Sequence, residues 1–243
     1  MQEIYLVTGC SRGIGLATCR QLLTRKARVV GMSRTAPEEL TPNDFSHSSA
    51  LPDPTVLAGR VRDRWNLQDP VRYAGIVLNA GVLEISSVRC ADAASTARLF
   101  QINLISCFDL VSLYLPHCIT DARVILVSSG ASVKPMPCWA AYCASKAAGN
   151  MFIKCLALEE PSITALAIRP GVVDTPMIAK VLKQGESNGM PESFFKRFVD
   201  ADLLSPDVPG TTLARAAMGV GHELSGEYVS WDDQRLQDSL LCP

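Results

Sequence analysis

A short apolar run, Ile4-Tyr5-Leu6-Val7, passes directly into Thr8-Gly9-Cys10-Ser11-Arg12-Gly13-Ile14-Gly15, and a helical pattern with Leu16, Cys19, Leu22 and Leu23 on one face follows. A strand that feeds a helix through a glycine-rich turn is the opening of an alternating α/β fold. The junction is also an anion site, because first-turn amides are unpaired and the helix dipole is positive there. Gly9 permits the tight turn, Gly13 lets a phosphate approach the backbone, and Gly15 allows close helix–strand packing. The spacing is G-x-x-x-G-x-G rather than the commoner G-x-G-x-x-G of dinucleotide sites.

The alternation continues along the chain. Ala27 to Ser33 reads as a second strand with Val29, Val30 and Met32, and it ends where a dinucleotide fold meets the adenine ribose. An NAD-selective site places a carboxylate there, about twenty residues past the glycines. This chain instead carries Ser33 and Arg34, while Glu38 and Glu39 lie too far along. A guanidinium suits a 2′-phosphate, and Arg12 in the glycine turn is placed to reach the same group, so the expected cofactor is NADP(H). Gly75 to Leu78 reads as a buried strand delivering Asn79-Ala80-Gly81, small residues against which a cofactor can lie. A helix from about Ala94 to His117 then carries Asn103 among Leu99, Phe100, Leu104, Cys107 and Phe108. An amide on such a stripe must find hydrogen bonds, in the core or in a site. Arg123 to Val127 is the next strand, ending in Ser128-Ser129-Gly130, and Thr164 to Ile168 another, ending in Arg169-Pro170-Gly171-Val172-Val173-Asp174-Thr175.

Between those two strands stands Tyr142-Cys-Ala-Ser-Lys146, with Ser129 thirteen residues upstream. At i and i+4 on a helix, phenol and ammonium share one face. An ammonium about 4 Å away at an effective dielectric near 20 favours phenolate by roughly 4 kcal/mol, or about three pKa units. The spacing therefore predicts a Tyr142 phenol titrating near about 7, suited to acid–base work. A surface helix can carry such a pair by accident, and the neighbouring motifs decide.

In this order, T-G-x-x-x-G-I-G, N-A-G, a helical Asn, Ser, Y-x-x-x-K and P-G-x-x-x-T span nearly the whole chain and resemble the short-chain dehydrogenase/reductase family. The N-A-G-V-L-E segment and the ending Gly226-Glu-Tyr-Val-Ser-Trp-Asp-Asp233 are most similar to fungal benzil reductases and the related sepiapterin reductases. The resemblance implies a Rossmann-type, doubly wound parallel β-sheet with helices on both faces, one domain over 1–243. It implies a catalytic tetrad in which Ser129 holds the substrate carbonyl, Tyr142 delivers the proton and Asn103 anchors a water relaying to Lys146. It also implies that Lys146 binds the nicotinamide ribose, with Val172 and Thr175 flanking the carboxamide. The cofactor contacts it carries over are Gly9, Ser11, Arg12, Gly13, Ile14, Ser33, Arg34, Leu51, Asn79, Ala80, Gly81, Tyr142, Lys146, Pro170, Gly171, Val173 and Thr175. By analogy with sepiapterin reductases, Asp232 or Asp233 would hold a pterin amine, whereas the plain reading is a solvated turn acid.

One stretch departs from the family pattern. The third strand, Phe45 to Leu51, is serine-rich and has Ala50 where an adenine-binding aspartate is expected, leaving the Leu51 backbone for that contact. Asp53-Pro54-Thr55 then begins a helix through Trp65.

The 243 residues, 48% apolar, suffice for one sizeable core, and no Gly/Ser-rich or charged linker interrupts them. A net charge of −1 gives no electrostatic case for nucleic acid or acidic membranes. No uncharged run reaches 18 residues and the first residues lack a basic stretch, so neither a membrane span nor a signal peptide is expected. Nine cysteines without C-x-x-C read as small core residues in a reducing cytoplasm. His47, His117 and His222 show no metal-ligand spacing.

The segment from Pro176 to about Leu204, with Met177, Ile178, Met190, Phe194, Phe195 and Phe198, reads as core or as a lid over the nicotinamide. With Met136, Cys138 and Trp139 it makes an apolar, aromatic pocket suited to a hydrophobic ketone or vicinal diketone. The expectation is an NADPH-dependent carbonyl reductase, a homodimer or homotetramer, with a pterin reductase and a non-catalytic NADP-binding sensor as the alternatives.

Overall fold

The computed structural model describes residues 3–40, 45–48 and 52–241. Its strands and helices alternate as β1 (Ile4–Thr8), α1 (Gly13–Thr24), β2 (Arg28–Met32), β3 (Phe45–Ser48), α2 (Pro54–Trp65), β4 (Tyr73–Leu78), α3 (Ala93–Phe100), α4 (Ser106–Tyr114), β5 (Cys118–Val127), α5 (Ala140–Glu159), β6 (Thr164–Arg169), α6 (Pro176–Gln184), α7 (Glu192–Val199), α8 (Asp207–Gly219), β7 (Tyr228–Ser230) and α9 (Gln234–Ser239). The seven strands form one parallel sheet in the order β3-β2-β1-β4-β5-β6-β7.

A parallel sheet covered on both faces needs strands that are apolar on both sides, and these strands are. In β1, Ile4 and Leu6 point into one core with Leu57 and Val61 of α2, Leu110 and Val111 of α4, and Ile153 of α5. Tyr5 and Val7 point into the other with Cys19 and Leu22 of α1 and Leu213 and Ala217 of α8. The helix expected to start at Asp53 does so: its carboxylate accepts from the Thr55 and Val56 amides at 2.9 and 3.4 Å, and Pro54 occupies the first turn. Asn66, left-handed at φ 48°, ends it.

The long helix expected around Asn103 is continuous but not uniform. Between α3 and α4 the residues Gln101–Ile105 form a wide π turn, and Asn103 sits at its middle. The run Ala93–His117 has the length and composition to cross a membrane, yet one side of it, through Leu99, Asn103, Cys107, Leu110 and Tyr114, is buried within the fold.

The strand order reverses between β1 and β4, and in an open α/β sheet the crevice beyond such strand ends is where ligands bind. The glycine turn and the Asn79–Gly81 segment both leave the sheet there. The third strand is an edge strand beside β2, described over Phe45–Ser48. Ala50 and Leu51, where the adenine contact was expected, lie outside the described residues.

Candidate active site

The glycine turn is locked by its neighbours. Asn79 Nδ2 donates to the carbonyls of Thr8 and Gly9 at 2.9 and 3.2 Å, and the Thr8 hydroxyl accepts from the amides of Asn79 and Ala80 at 3.0 and 2.9 Å. Gly9 has φ 68°, and a Cβ there would lie 2.8 Å from Asn79 Nδ2. A Cβ on Gly15 would overlap the Gly9 carbonyl and the same amide. Gly13 has φ 56° and faces Thr175, whose Cγ2 is 3.2 Å from where its Cβ would be. Ser11 and Ile14 are half-buried along this turn. The N-terminus of α1 has no side-chain cap and no acidic residue in its first turn. Open amides beside a cradle that only glycines permit fit a dinucleotide pyrophosphate.

At the end of β2, Ser33 is held by its surroundings. Its hydroxyl donates to the Thr35 carbonyl at 2.7 Å and meets Cys10 Sγ at 3.1 Å and His47 Nε2 at 3.2 Å. Arg34 and Arg12 are exposed, and neither pairs with a carboxylate among the described residues. Glu39 is occupied by Arg20.

Ser129, Tyr142 and Lys146 converge beyond β5. The Ser129 hydroxyl accepts from the Ala131 amide at 3.1 Å, and it is the neighbour that draws the Tyr142 phenol toward a lower pKa. Its carbonyl is pinned by the Tyr228 hydroxyl at 3.1 Å and the Ser132 hydroxyl at 2.6 Å. Ser132 in turn accepts from Asn150 Nδ2 at 2.8 Å, and Asn150 Oδ1 accepts from Ser128 at 2.6 Å. This chain of hydrogen bonds ties the end of β5 to α5. Asn150 and Tyr228 escape a reading by sequence, although Asn150 stands one turn beyond Lys146 on the same helix.

The titration expected of Tyr142 is corrected. Burial pushes its phenol up to about 12, against a lowering by the Ser129 hydrogen bond. Burial also pushes the Lys146 ammonium down. The spacing argument placed the ammonium about 4 Å from the phenol in a partly solvated setting. In the fold, Lys146 Nζ donates to the Val127 carbonyl at 2.8 Å and lies 5.9 Å from the centre of the Tyr142 ring, and both side chains are buried. Desolvation therefore outweighs attraction.

Asn103 is 2% exposed. Its Oδ1 accepts from the Val82 amide at 2.8 Å, and its Nδ2 donates to the Val82 carbonyl at 2.9 Å and to Ser145 Oγ at 3.1 Å. A Cβ on Gly81 would sit 3.5 Å from Asn103 Oδ1 and 3.6 Å from Lys146 Nζ. The tetrad and the Asn79–Gly81 segment thus share one small volume.

The Pro170–Thr175 turn is clamped to Leu204, whose amide donates to the Val172 carbonyl while its own carbonyl accepts from Asp174, both at 2.9 Å. Pro170 is buried, and the Val173 side chain, 3% exposed, packs inward, so only its backbone is available to a cofactor. Gly171, φ 84°, is needed for packing: a Cβ would lie 2.7 Å from Leu204 Cδ1 and 2.9 Å from Trp231 Nε1. Val172 is exposed, and Thr175 faces the glycine turn. Asp233 caps α9 and pairs with Arg235, so its carboxylate is committed; Asp232 is exposed.

The segment expected as core or as a lid packs onto the start of α5. Val181, Met190, Phe194 and Phe198 form one cluster with Trp139 and Tyr142, and Met177, Ile178 and Phe195 pack on it. Lys180 Nζ ties the lid to the segment after β4, donating to the Leu83 carbonyl and to Glu84, each at 2.9 Å. Among the described residues no cluster of His, Cys, Asp or Glu is arranged to hold a metal.

Comparison with known proteins accounts for this arrangement. The family described as short chain dehydrogenase matches residues 3–186. An uncharacterized oxidoreductase of Schizosaccharomyces pombe is 36% identical, over 95% of this chain and 96% of its own length. Benzil reductase ((S)-benzoin forming) of Saccharomyces cerevisiae is 34% identical, over 97% of this chain and 98% of its own. A solved short chain dehydrogenase/reductase of Saccharomyces cerevisiae, 31% identical, superposes with a TM-score of 0.87 over 97% of this chain and 98% of its own. With its seven-stranded parallel sheet, its glycine turn and its Ser129, Tyr142 and Lys146 brought to one point, the chain belongs to the short-chain dehydrogenase family of oxidoreductases.

Proposed function

We propose that the protein is an NADPH-dependent carbonyl reductase acting on a hydrophobic vicinal diketone, as its benzil reductase relative does by name. The observation that carries this reading is the Ser129–Tyr142 hydroxyl pair beside Lys146 under a roof of Trp139, Phe194 and Phe198. Two hydroxyls at the base of an otherwise apolar, aromatic site suit a substrate that is hydrophobic except at its carbonyl.

When bound, the nicotinamide supplies the hydride. The residues of the chain do the rest. Gly9, Gly13 and the α1 amides receive the pyrophosphate, and Lys146 holds the ribose. Arg34 and Arg12, without a carboxylate partner among the described residues, receive the 2′-phosphate in place of the acid that would select NAD. Ser129 and Tyr142 hold the carbonyl oxygen. Tyr142 stays protonated at neutral pH, because burial raises its phenol, and gives that proton to the developing alkoxide. Asn103 fixes the backbone beside Lys146. The lid excludes water from the exchange.

The enzyme works in the cytoplasm on this reading, with its eight described cysteines unpaired. A second copy of the chain covers the exposed Phe108 and Met151 on α4 and α5, where a groove of about 810 Å³ opens. A two-fold contact between identical apolar faces requires only one such patch, and light scattering reads the resulting mass. The test of activity is loss of NADPH absorbance with benzil, with NADH in parallel. No oxidation of either cofactor by benzil or related diketones would sink the proposal, and equal rates with both cofactors would sink its NADPH preference.

A further inference from the structure

Trp139 is 5% exposed, and its indole Nε1–H is buried without a hydrogen-bond partner among the described residues. A buried donor left unpaired is costly, and such groups in a folded protein call for an explanation. Its position is well defined. Trp139 precedes α5, its carbonyl accepts from the Cys143 amide at 2.8 Å, and at three residues before Tyr142 it shares that residue's helix face. Its ring meets the Tyr142 ring edge-to-face at 5.7 Å, and Phe194 and Phe198 at 6.1 and 5.3 Å close over it. The rings of these neighbours present π faces, which are weak acceptors beside a carbonyl oxygen, and the indole N–H does not bond to the Tyr142 hydroxyl.

We infer that the Trp139 indole N–H is a substrate contact: it donates to the second oxygen of a vicinal dicarbonyl whose first oxygen is held by Ser129 and Tyr142. This rests on the carbonyl reductase reading above. The Tyr142 and Trp139 ring centres are 5.7 Å apart, so a substrate seated at the Tyr142 phenol meets the indole N–H when Phe194 and Phe198, which enclose it, part from its edge, and the oxygens of a vicinal dicarbonyl sit on adjacent carbons. The contact selects 1,2-dicarbonyls over simple ketones of the same shape. It does so because only the former supply the acceptor that the site lacks.

The experiment compares benzil with deoxybenzoin, in which a methylene replaces one carbonyl, using NADPH and the full-length enzyme. Trp139→Phe keeps an aromatic ring and removes the donor. Replacement of Trp139 by benzothienylalanine keeps the bicyclic shape as well, with sulfur in place of N–H, and serves if the Phe variant folds poorly. In either variant the ratio of kcat/KM for benzil to that for deoxybenzoin falls about 3- to 10-fold, as for the loss of one neutral hydrogen bond, whatever loss of packing the two ketones share. NADPH affinity is unchanged. Equal losses on both ketones, or no loss on either, would overturn the assignment of Trp139 and leave the reductase reading standing. A wild-type enzyme inactive on both would overturn the two together.

Discussion

Replacing Asn103 by leucine tests how the site is braced. The side chains are similar in size, so the change removes polar bonds and leaves little cavity. Asn103 spans the backbone of Val82, accepting from its amide at 2.8 Å and donating to its carbonyl at 2.9 Å. Both groups lose their partner in the variant. Ser145 does not, because its hydroxyl still donates to the Tyr142 carbonyl at 2.8 Å. An unpaired buried backbone group costs about 1–3 kcal/mol. Val82 is half-buried and water recovers part of that, so the lower part of the range applies twice, about 2–3 kcal/mol in all. Urea unfolding followed by circular dichroism measures this directly. Turnover should fall further, by about 10- to 100-fold in the fully folded variant, because Val82 follows Gly81, which faces Lys146, and small displacements of a reacting geometry carry penalties of that order. A loss of less than about 1 kcal/mol with turnover unchanged would refute the brace.

Other outcomes follow from the same geometry. Tyr142→Phe keeps the ring packed on Trp139 and removes the proton; turnover should fall about 10²- to 10⁴-fold with NADPH binding intact, and a variant retaining more than about a tenth of the rate would exclude Tyr142 as the acid. Arg34→Ala should weaken NADPH binding about 10- to 150-fold and leave NADH nearly unchanged, as a fluorescence titration of the two cofactors will show; equal shifts would remove Arg34 from the 2′-phosphate site. Stability should fall at high pH. Burial raises Tyr142 and Tyr114 to about 12 from an ordinary value of 10.0, so the folded state keeps protons that the unfolded chain has lost. Their contribution is complete below pH 10 and is lost as pH rises from 10 to 12, by about 2–3 kcal/mol for each phenol. Lys146, lowered by burial, runs the other way, its contribution growing as pH approaches its ordinary 10.5. Urea midpoints that stay level from pH 9 to 12, or tyrosinate absorbance that rises well before unfolding, would contradict this.

What the sequence determines by itself is whatever depends on short spacings. Val29 and Val30 read as a buried strand because a parallel sheet demands apolar residues on both faces. The glycine turn is legible because Gly9 at φ 68° and Gly15 against the Gly9 carbonyl admit no side chain. Asp53 with Pro54 announces a helix because capping is local chemistry. Tyr142 and Lys146 are recognisable as a pair for the same reason.

Tertiary structure decides what depends on burial and on partners distant in the chain. Spacing placed the Tyr142 phenol near neutrality, but the lid and β5 bury both groups, and desolvation reverses the shift. Asn103 read equally as core or as site until the fold brought Val82, 21 residues away, against its amide. The motif names Val173 as a cofactor contact without saying by which atoms, and its pairing with Leu204, thirty-one residues on, turns the side chain inward and leaves the backbone for that contact. Nor does anything within a few residues of Trp139 show that its indole N–H will be enclosed without a partner. That follows from Phe194 and Phe198, some sixty residues on, folding over it, because hydrogen-bond satisfaction is set by what surrounds an atom in space.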